Sequence, residues 1–150
     1  FCLSRGLGDV YKRQIVGITR GTTQNHIIRA AEESIAYQSA DLVAAMEKDT
    51  GVPITSLKVD GGASRDQFLM QFQADLTGVR IIRPSVMEST ALGAAMFAGL
   101  AVGFWHSTDE ICALLKPDRT FSPEAAPALM EQRRKRWHEA VRRSRHWIEE

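Results

Sequence analysis

An apolar strand that runs into paired glycines and then a helix start is how a backbone comes close to a nucleotide, and residues 57–66, Leu-Lys-Val-Asp-Gly-Gly-Ala-Ser-Arg-Asp, follow that order. Leu57 and Val59 suit a buried strand, and Asp60 closes it. Gly61 and Gly62 permit dihedrals and close contacts that a Cβ forbids. A helix over 64–76 would aim its free N–H groups and positive dipole end at whatever lies above the turn. The segment therefore points to an ATP site. The competing reading is an ordinary glycine-bearing connection between a strand and a helix. Neither G-x-G-x-x-G nor G-x-x-x-x-G-K-[ST] occurs, which argues against phosphate gripping of the Rossmann or P-loop kind.

Other polar residues carry weaker signals. Asp60 has the type of a general base, but an Asp before Gly-Gly more often forms the turn. Arg20 and Arg83 flank turns where they could meet phosphate, with solvent-facing loop arginines as the simpler reading. Glu88, Ser89 and Thr90 could line a ligand, yet their place before an apolar run is that of a helix start. The histidines offer one pair on a single helix, His138 and His146, a spacing too wide for one metal ion. No Ser/His/Asp arrangement is legible.

The elements that must position these residues follow from periodicity. After a short extended piece over 15–19, a long helix opens near Thr23 or Asn25, with Ile28, Ala31, Ile35, Leu42 and Met46 as its expected buried face and Glu32 interrupting it. Gly51-Val52-Pro53 ends that helix. A strand over 56–60, a helix carrying Phe68, Leu69, Phe72 and Leu76, and a strand over 79–82 stopped by Pro84 form a parallel crossover. A third helix begins at Ser89 or Thr90 and is rich in small residues, and a short helix over 107–115 is capped by Ser107 or Thr108. The last helix, over 123–148, holds the only dense charge, Arg133 to Arg136 and Arg142 to Arg145. Met130, Trp137, Val141 and Ile148 make a packing stripe on it, so its basic residues read as a solvated face and Trp137 and Trp147 as packing anchors. A nucleic-acid-binding module built on this helix is the competing reading.

At 150 residues, with 44% hydrophobic and 25% charged residues, the chain is one modest domain's worth of polypeptide and can bury a core. A formal net charge of +1 supplies no whole-molecule field to recruit nucleic acid or membrane. The two cysteines, Cys2 and Cys112, lie far apart and do not suggest a disulfide framework. No apolar run reaches membrane-spanning length, the longest approach being 91–105, which is full of Gly and Ala. Residues 1–14 connect to no helical or strand period and read as a non-native lead, leaving 15–150 as the organised unit.

The chain from Ile15 onward resembles the C-terminal part of the glycerol kinases, within the FGGY family of carbohydrate kinases. The likeness rests on Gly17-Ile18-Thr19-Arg20-Gly21-Thr22-Thr23 leading into His26-Ile27-Ile28-Arg29-Ala30, and on Val59-Asp60-Gly61-Gly62-Ala63. It rests further on residues 68–75, on Thr90-Ala91-Leu92-Gly93-Ala94-Ala95, and on Leu100-Ala101-Val102-Gly103-Phe104-Trp105, which resemble glycerol kinases more than xylulose or gluconate kinases. The resemblance implies an α/β fold, part of an actin-like (ribonuclease H-like) ATPase domain: parallel strands with crossover helices, plus the C-terminal helix. It implies ATP with Mg²⁺ as cofactors, glycerol as substrate of the intact enzyme, a cytoplasmic homo-oligomer, and no nucleic-acid or membrane partner. A xylulokinase-like sugar kinase is the alternative within the family.

By the same resemblance Gly62 faces the adenine nucleotide, with Gly61 and Ala63 shaping the turn and Asp66 at a nucleotide-contacting position. Asp66 stands where glycerol kinases carry an asparagine, which can donate a hydrogen bond that an ionised Asp cannot. Arg13 replaces a signature glycine and Glu32 an apolar residue. The catalytic carboxylate, the glycerol site and the metal site belong to polypeptide upstream of Ile15, so the chain alone is expected to be inactive and to bind ATP weakly. Its sheet is expected to be two parallel strands with an unpaired edge.

Overall fold

The computed structural model describes residues 15–86 and 88–144. Helix α1, Gln24–Thr50, opens at Thr23, whose backbone N–H donates to Nδ1 of His26 at 3.1 Å. It closes at Gly51, whose N–H reaches the Glu47 carbonyl. Strand β1, Ser56–Lys58, leads through a 3-10 turn, Gly62–Arg65, into helix α2, Gln67–Thr77. Strand β2, Arg80–Pro84, then returns parallel to β1, pairing Leu57 with Ile81 and Lys58 with Ile82. Helices α3, Ser89–Ala101, and α4, Thr108–Leu114, follow. The Ser107 side chain accepts from the Glu110 N–H at 3.2 Å and caps α4. Strand β3, Pro117–Phe121, lies antiparallel to β2, and helix α5, Pro127–Ser144, completes the order.

The strand–helix–strand crossover is as expected, and the sheet gains a strand that periodicity does not reveal. Its order is β1-β2-β3, so the far edge of β2 is covered and the sheet is mixed, not purely parallel. Strand β3 is exposed along Pro117 to Thr120 and inserts only Phe121, which leaves no alternating apolar pattern to read. Phe121 opposite Ile81 is what holds it to the core.

The core joins α1, α2, the sheet and α5 through Tyr37, Leu69, Phe72, Leu76, Ile81 and Trp137. Trp137 stacks on Tyr37 with centroids 5.0 Å apart, and Tyr37 meets Phe72 edge-on at 5.6 Å. The Trp137 indole N–H donates to the Asp41 carboxylate at 2.7 Å, tying α5 to α1. Trp137 is therefore a packing anchor, as its spacing implied. Burial pushes the Tyr37 phenol above its usual 10.0, with the Glu33 carboxylate adding to the shift.

The expected inner face of α1 is overturned. Ile28, Ile35, Leu42 and Met46 are 49%, 48%, 62% and 49% exposed, whereas Ala30, Ser34, Tyr37, Ala40 and Val43 face inward. Position 30 lies two residues, roughly 200°, around the helix from position 28, so the buried side is the opposite one. Small residues at 30, 34, 36 and 40 let α2 approach closely and leave Tyr37 to reach Trp137. Glu32 is half-buried and lies outside the buried set. Helix α3 is apolar on every side and yet has no fully buried residue.

Candidate functional site

The candidate site is assembled at the C-terminal ends of the parallel strands, where open α/β sheets place their ligands. The Val59 N–H still pairs with the Ile82 carbonyl at 3.1 Å, and past Asp60 the chain leaves the sheet. Gly61 makes the bend with φ +78 and ψ 176, a region open in practice to glycine alone. The 3-10 turn is pinned from inside by Ser64, which is buried and donates to the Gly61 carbonyl twice, from Oγ at 2.7 Å and from its backbone N–H at 3.1 Å. Asp66 then caps α2 by accepting from the Leu69 N–H at 3.0 Å. The helix therefore begins at Gln67, after an intervening 3-10 turn, and not at Ser64.

All four nucleotide-contact candidates occupy one short arc: Gly61 and Asp66 half-buried, Gly62 and Ala63 exposed. A Cβ built on Gly62 meets nothing within 4 Å and its φ is not left-handed, so no contact among the described residues requires glycine there. Gly61 is explained by the bend, while Gly62 leaves an open face for an outside group. Directly before the bend, Lys58, Val59 and Asp60 help to line a groove of about 760 Å³. Its far wall includes Leu92 and Met96 of α3 with Trp105, and Lys116 stands at its rim. An apolar slot with a few cationic groups suits a planar base better than a free phosphate. Gly99 gives the Trp105 ring its seat, since any Cβ there would collide with it.

Arg83 is neither a loop arginine nor a phosphate reader. It is 9% exposed, with Nε and Nη2 donating to Oδ2 of Asp118 at 2.8 and 2.6 Å and Nη1 donating to the Ser64 carbonyl at 3.2 Å. The strand alternation contained the signal, since Arg83 shares the inward side of β2 with Ile81. Arg20 is exposed at the turn before α1, and Ser89 and Thr90 do start α3. Asp60 is exposed beside the groove.

On α5 the basic residues are paired along the surface: Arg134 with Glu131, Arg142 and Arg143 with Glu139, and Arg133 with Glu33 of α1. Hydrogen bonds from Arg142 and then Arg143 hold the Glu139 carboxyl down to about 2. His138 sits 2.8 Å from Asp41. His146, Trp147, Ile148, Cys2 and Arg13 lie outside the described residues, and Cys112 is exposed and free. Among the described residues no group of three or more His, Cys, Asp or Glu side chains converges as a metal site, so Mg²⁺ is assigned no ligand here. Among the same residues no helix is long and apolar enough to cross a membrane.

The sequence profile of the FGGY family of carbohydrate kinases, C-terminal domain, matches residues 5–102. The chain belongs to the FGGY family. Among curated proteins it is 55% identical over 150 residues to a glycerol kinase of Clostridium beijerinckii and 54% identical over 147 residues to one of Deinococcus radiodurans. These alignments take in 97% and 95% of the chain but 30% and 29% of the relatives, so the FGGY chain spans about three-tenths of the length of the proteins it matches. Among solved structures, Plasmodium falciparum glycerol kinase with ADP superposes with a TM-score of 0.81 at 32% identity, over 93% of this chain and 28% of that one. A ligand-bound xylulose kinase from Lactobacillus acidophilus gives 0.68 at 25% identity, over 86% and 26%. The fold is accordingly part of the actin-like ATPase fold of the FGGY kinases.

Proposed function

We propose that residues 15–150 form the C-terminal part of a kinase that transfers the γ-phosphoryl group of ATP to glycerol, and that this part forms one side of the adenine-nucleotide site. The observation that carries the reading is the Gly61–Gly62 bend, open on its outer face and set against an apolar groove at the strand ends. The relatives at 54–55% identity are glycerol kinases, which supports glycerol over a pentulose as acceptor, and the Plasmodium structure contains ADP, which supports an adenine nucleotide. ATP bound there supplies the phosphoryl group. The chain's own residues orient the nucleotide: Gly62 leaves room for it, Gly61 and Ala63 set the turn, and Asp66 lies at its edge while holding the start of α2. Such phosphoryl transfer works by positioning and electrostatic stabilisation; Mg²⁺, when bound, would neutralise phosphate charge, and a carboxylate would accept the hydroxyl proton. No residue of this chain is assigned to that proton transfer or to the metal. The same proposal takes the intact enzyme to be a cytoplasmic homo-oligomer without a nucleic-acid or membrane partner.

The test is to join the chain to the preceding seven-tenths of the Clostridium beijerinckii glycerol kinase and to follow ADP release in a coupled assay. The expected result is glycerol-dependent turnover by the chimaera and none by the 150-residue chain. A folded chimaera without glycerol-dependent ADP release, or glycerol-dependent turnover by the chain alone, would overturn the assignment.

A further inference from the structure

We infer that Arg83 is a positioning residue for the nucleotide-facing turn: through Ser64 it dictates how the Gly61–Gly62 peptide is presented. The inference rests on the reading of that turn as a nucleotide site, and it assigns a task to a residue that touches no nucleotide.

The geometry is a relay of three bonded groups. The Arg83 guanidinium is anchored on β3, where Nε and Nη2 share Oδ2 of Asp118 and the Phe121 ring lies 5.6 Å away. With that edge held, the remaining nitrogen, Nη1, points across to the 3-10 turn and donates to the Ser64 carbonyl at 3.2 Å. Ser64 passes the constraint on, since its Oγ and its backbone N–H both donate to the Gly61 carbonyl. The Gly61 carbonyl is thereby turned inward. No peptide bond here is cis, and in a planar trans peptide the carbonyl and the next N–H point in opposite directions. The Gly62 N–H is therefore directed outward, over the face where a Cβ would meet nothing.

A glycine pair cannot hold such an orientation unaided, because both residues have access to many backbone states. A planar, forked cation suits the relay as a lysine does not: one ammonium nitrogen cannot serve Asp118 and the Ser64 carbonyl in the two directions that the guanidinium spans. Arg83 also lies between Ile82 and Pro84 at the end of β2, so its backbone is fixed by the sheet it leaves. The turn, which has no strand partner of its own, takes its orientation from β2 and β3.

The experiment titrates the ¹⁵N-labelled 150-residue chain with ADP to millimolar concentration and follows the Gly61 and Gly62 amides, together with hydrogen exchange over 61–69. The variants are Arg83→Lys, Ser64→Ala and Met130→Ala. Ser64→Ala removes a single hydroxyl and leaves the protein folded even if Arg83→Lys is compromised. Met130→Ala lowers stability from the core, away from the turn. If Arg83 positions the turn, Arg83→Lys and Ser64→Ala displace the Gly62 amide signal and speed exchange over 61–66. Both then weaken ADP binding, Arg83→Lys by about tenfold, as expected when the competent turn falls to about a tenth of the population. Met130→Ala lowers the melting temperature and leaves ADP affinity unchanged. The inference is overturned if Arg83→Lys and Ser64→Ala bind ADP like the parent chain, or if Met130→Ala weakens binding as much as they do. If the parent chain shows no response to ADP at Gly61 and Gly62, the titration is repeated on the chimaera with the Clostridium beijerinckii enzyme, and no response there overturns the nucleotide reading and the role of Arg83 with it.

Discussion

Asp66 meets two demands that conflict. As the cap of α2 it accepts the Leu69 N–H, a duty that Asn performs equally well, and as a neighbour of the nucleotide turn it brings a negative charge where a donor would be useful. Asp66→Asn is therefore expected to leave the urea unfolding midpoint unchanged while tightening ADP binding. Asp66→Ala should lower stability by about 1 kcal/mol, measured by the same unfolding curve. Gly61→Ala places a Cβ in a backbone region that L-residues avoid and should cost about 1–3 kcal/mol, read by thermal melting, although nothing lies within 4 Å of that Cβ. Glu139 provides a pH prediction. Its carboxyl is lowered from 4.5 to about 2, so the helix stabilisation it supplies is fully present above the usual carboxylate range and is lost as pH falls from there toward 2. Arg142→Gln should raise the NMR titration midpoint of Glu139, and high salt should do the same, because the pair is exposed.

At the scale of elements, α1 and α3 are unlike the other helices. Helix α1 is apolar on two faces, one spent on α2 and α5 and the other carrying Ile28, Ile35, Leu42 and Met46 into the open. Helix α3 has no fully buried residue, and Phe97 on it and Val102 and Phe104 just beyond it are exposed. Gly99 lies tight against Trp105, which lines the groove. Gly99→Ala should push that ring aside, shift tryptophan emission to the red and cost about 1–3 kcal/mol, as expected for overpacking. If the groove receives the base of a nucleotide, ADP binding should weaken in the same variant.

For the molecule as a whole, the two uncovered apolar faces matter more than any single contact. A chain that spans about three-tenths of its relatives' length and exposes continuous aliphatic rows should associate in isolation. Sedimentation velocity is expected to show concentration-dependent oligomers that bind a hydrophobic dye. Replacing Ile35 and Leu42 by Glu should return the chain to a monomer with its near-ultraviolet spectrum intact, because neither side chain enters the core. Loss of that spectrum would show that the exposed face contributes to folding of the chain itself.

Much of this arrangement was legible in the order of residues. Local chemistry marks the ends of α1, the bend after Asp60, the parallel crossover and the short α4, because caps, glycines and strand–helix alternation act over a few residues. The arc from Gly61 to Asp66 belongs to that class, being contiguous in sequence. Three features do not. Which face of α1 is inside depends on a choice between two apolar rows, and that choice was made by the shapes of α2 and Trp137, far away in sequence. Strand β3 exists because β2 offers a free edge and Phe121 a single anchor, neither of which leaves a pattern in residues 117–121. Arg83 looked like a surface cation until Asp118 and the Ser64 carbonyl surrounded it. The sequence by itself determined the turn and the elements around it, since their causes are local. Only the tertiary structure decided what steadies that turn, because a buried charge takes its partners from strands and loops that meet only when the chain is folded.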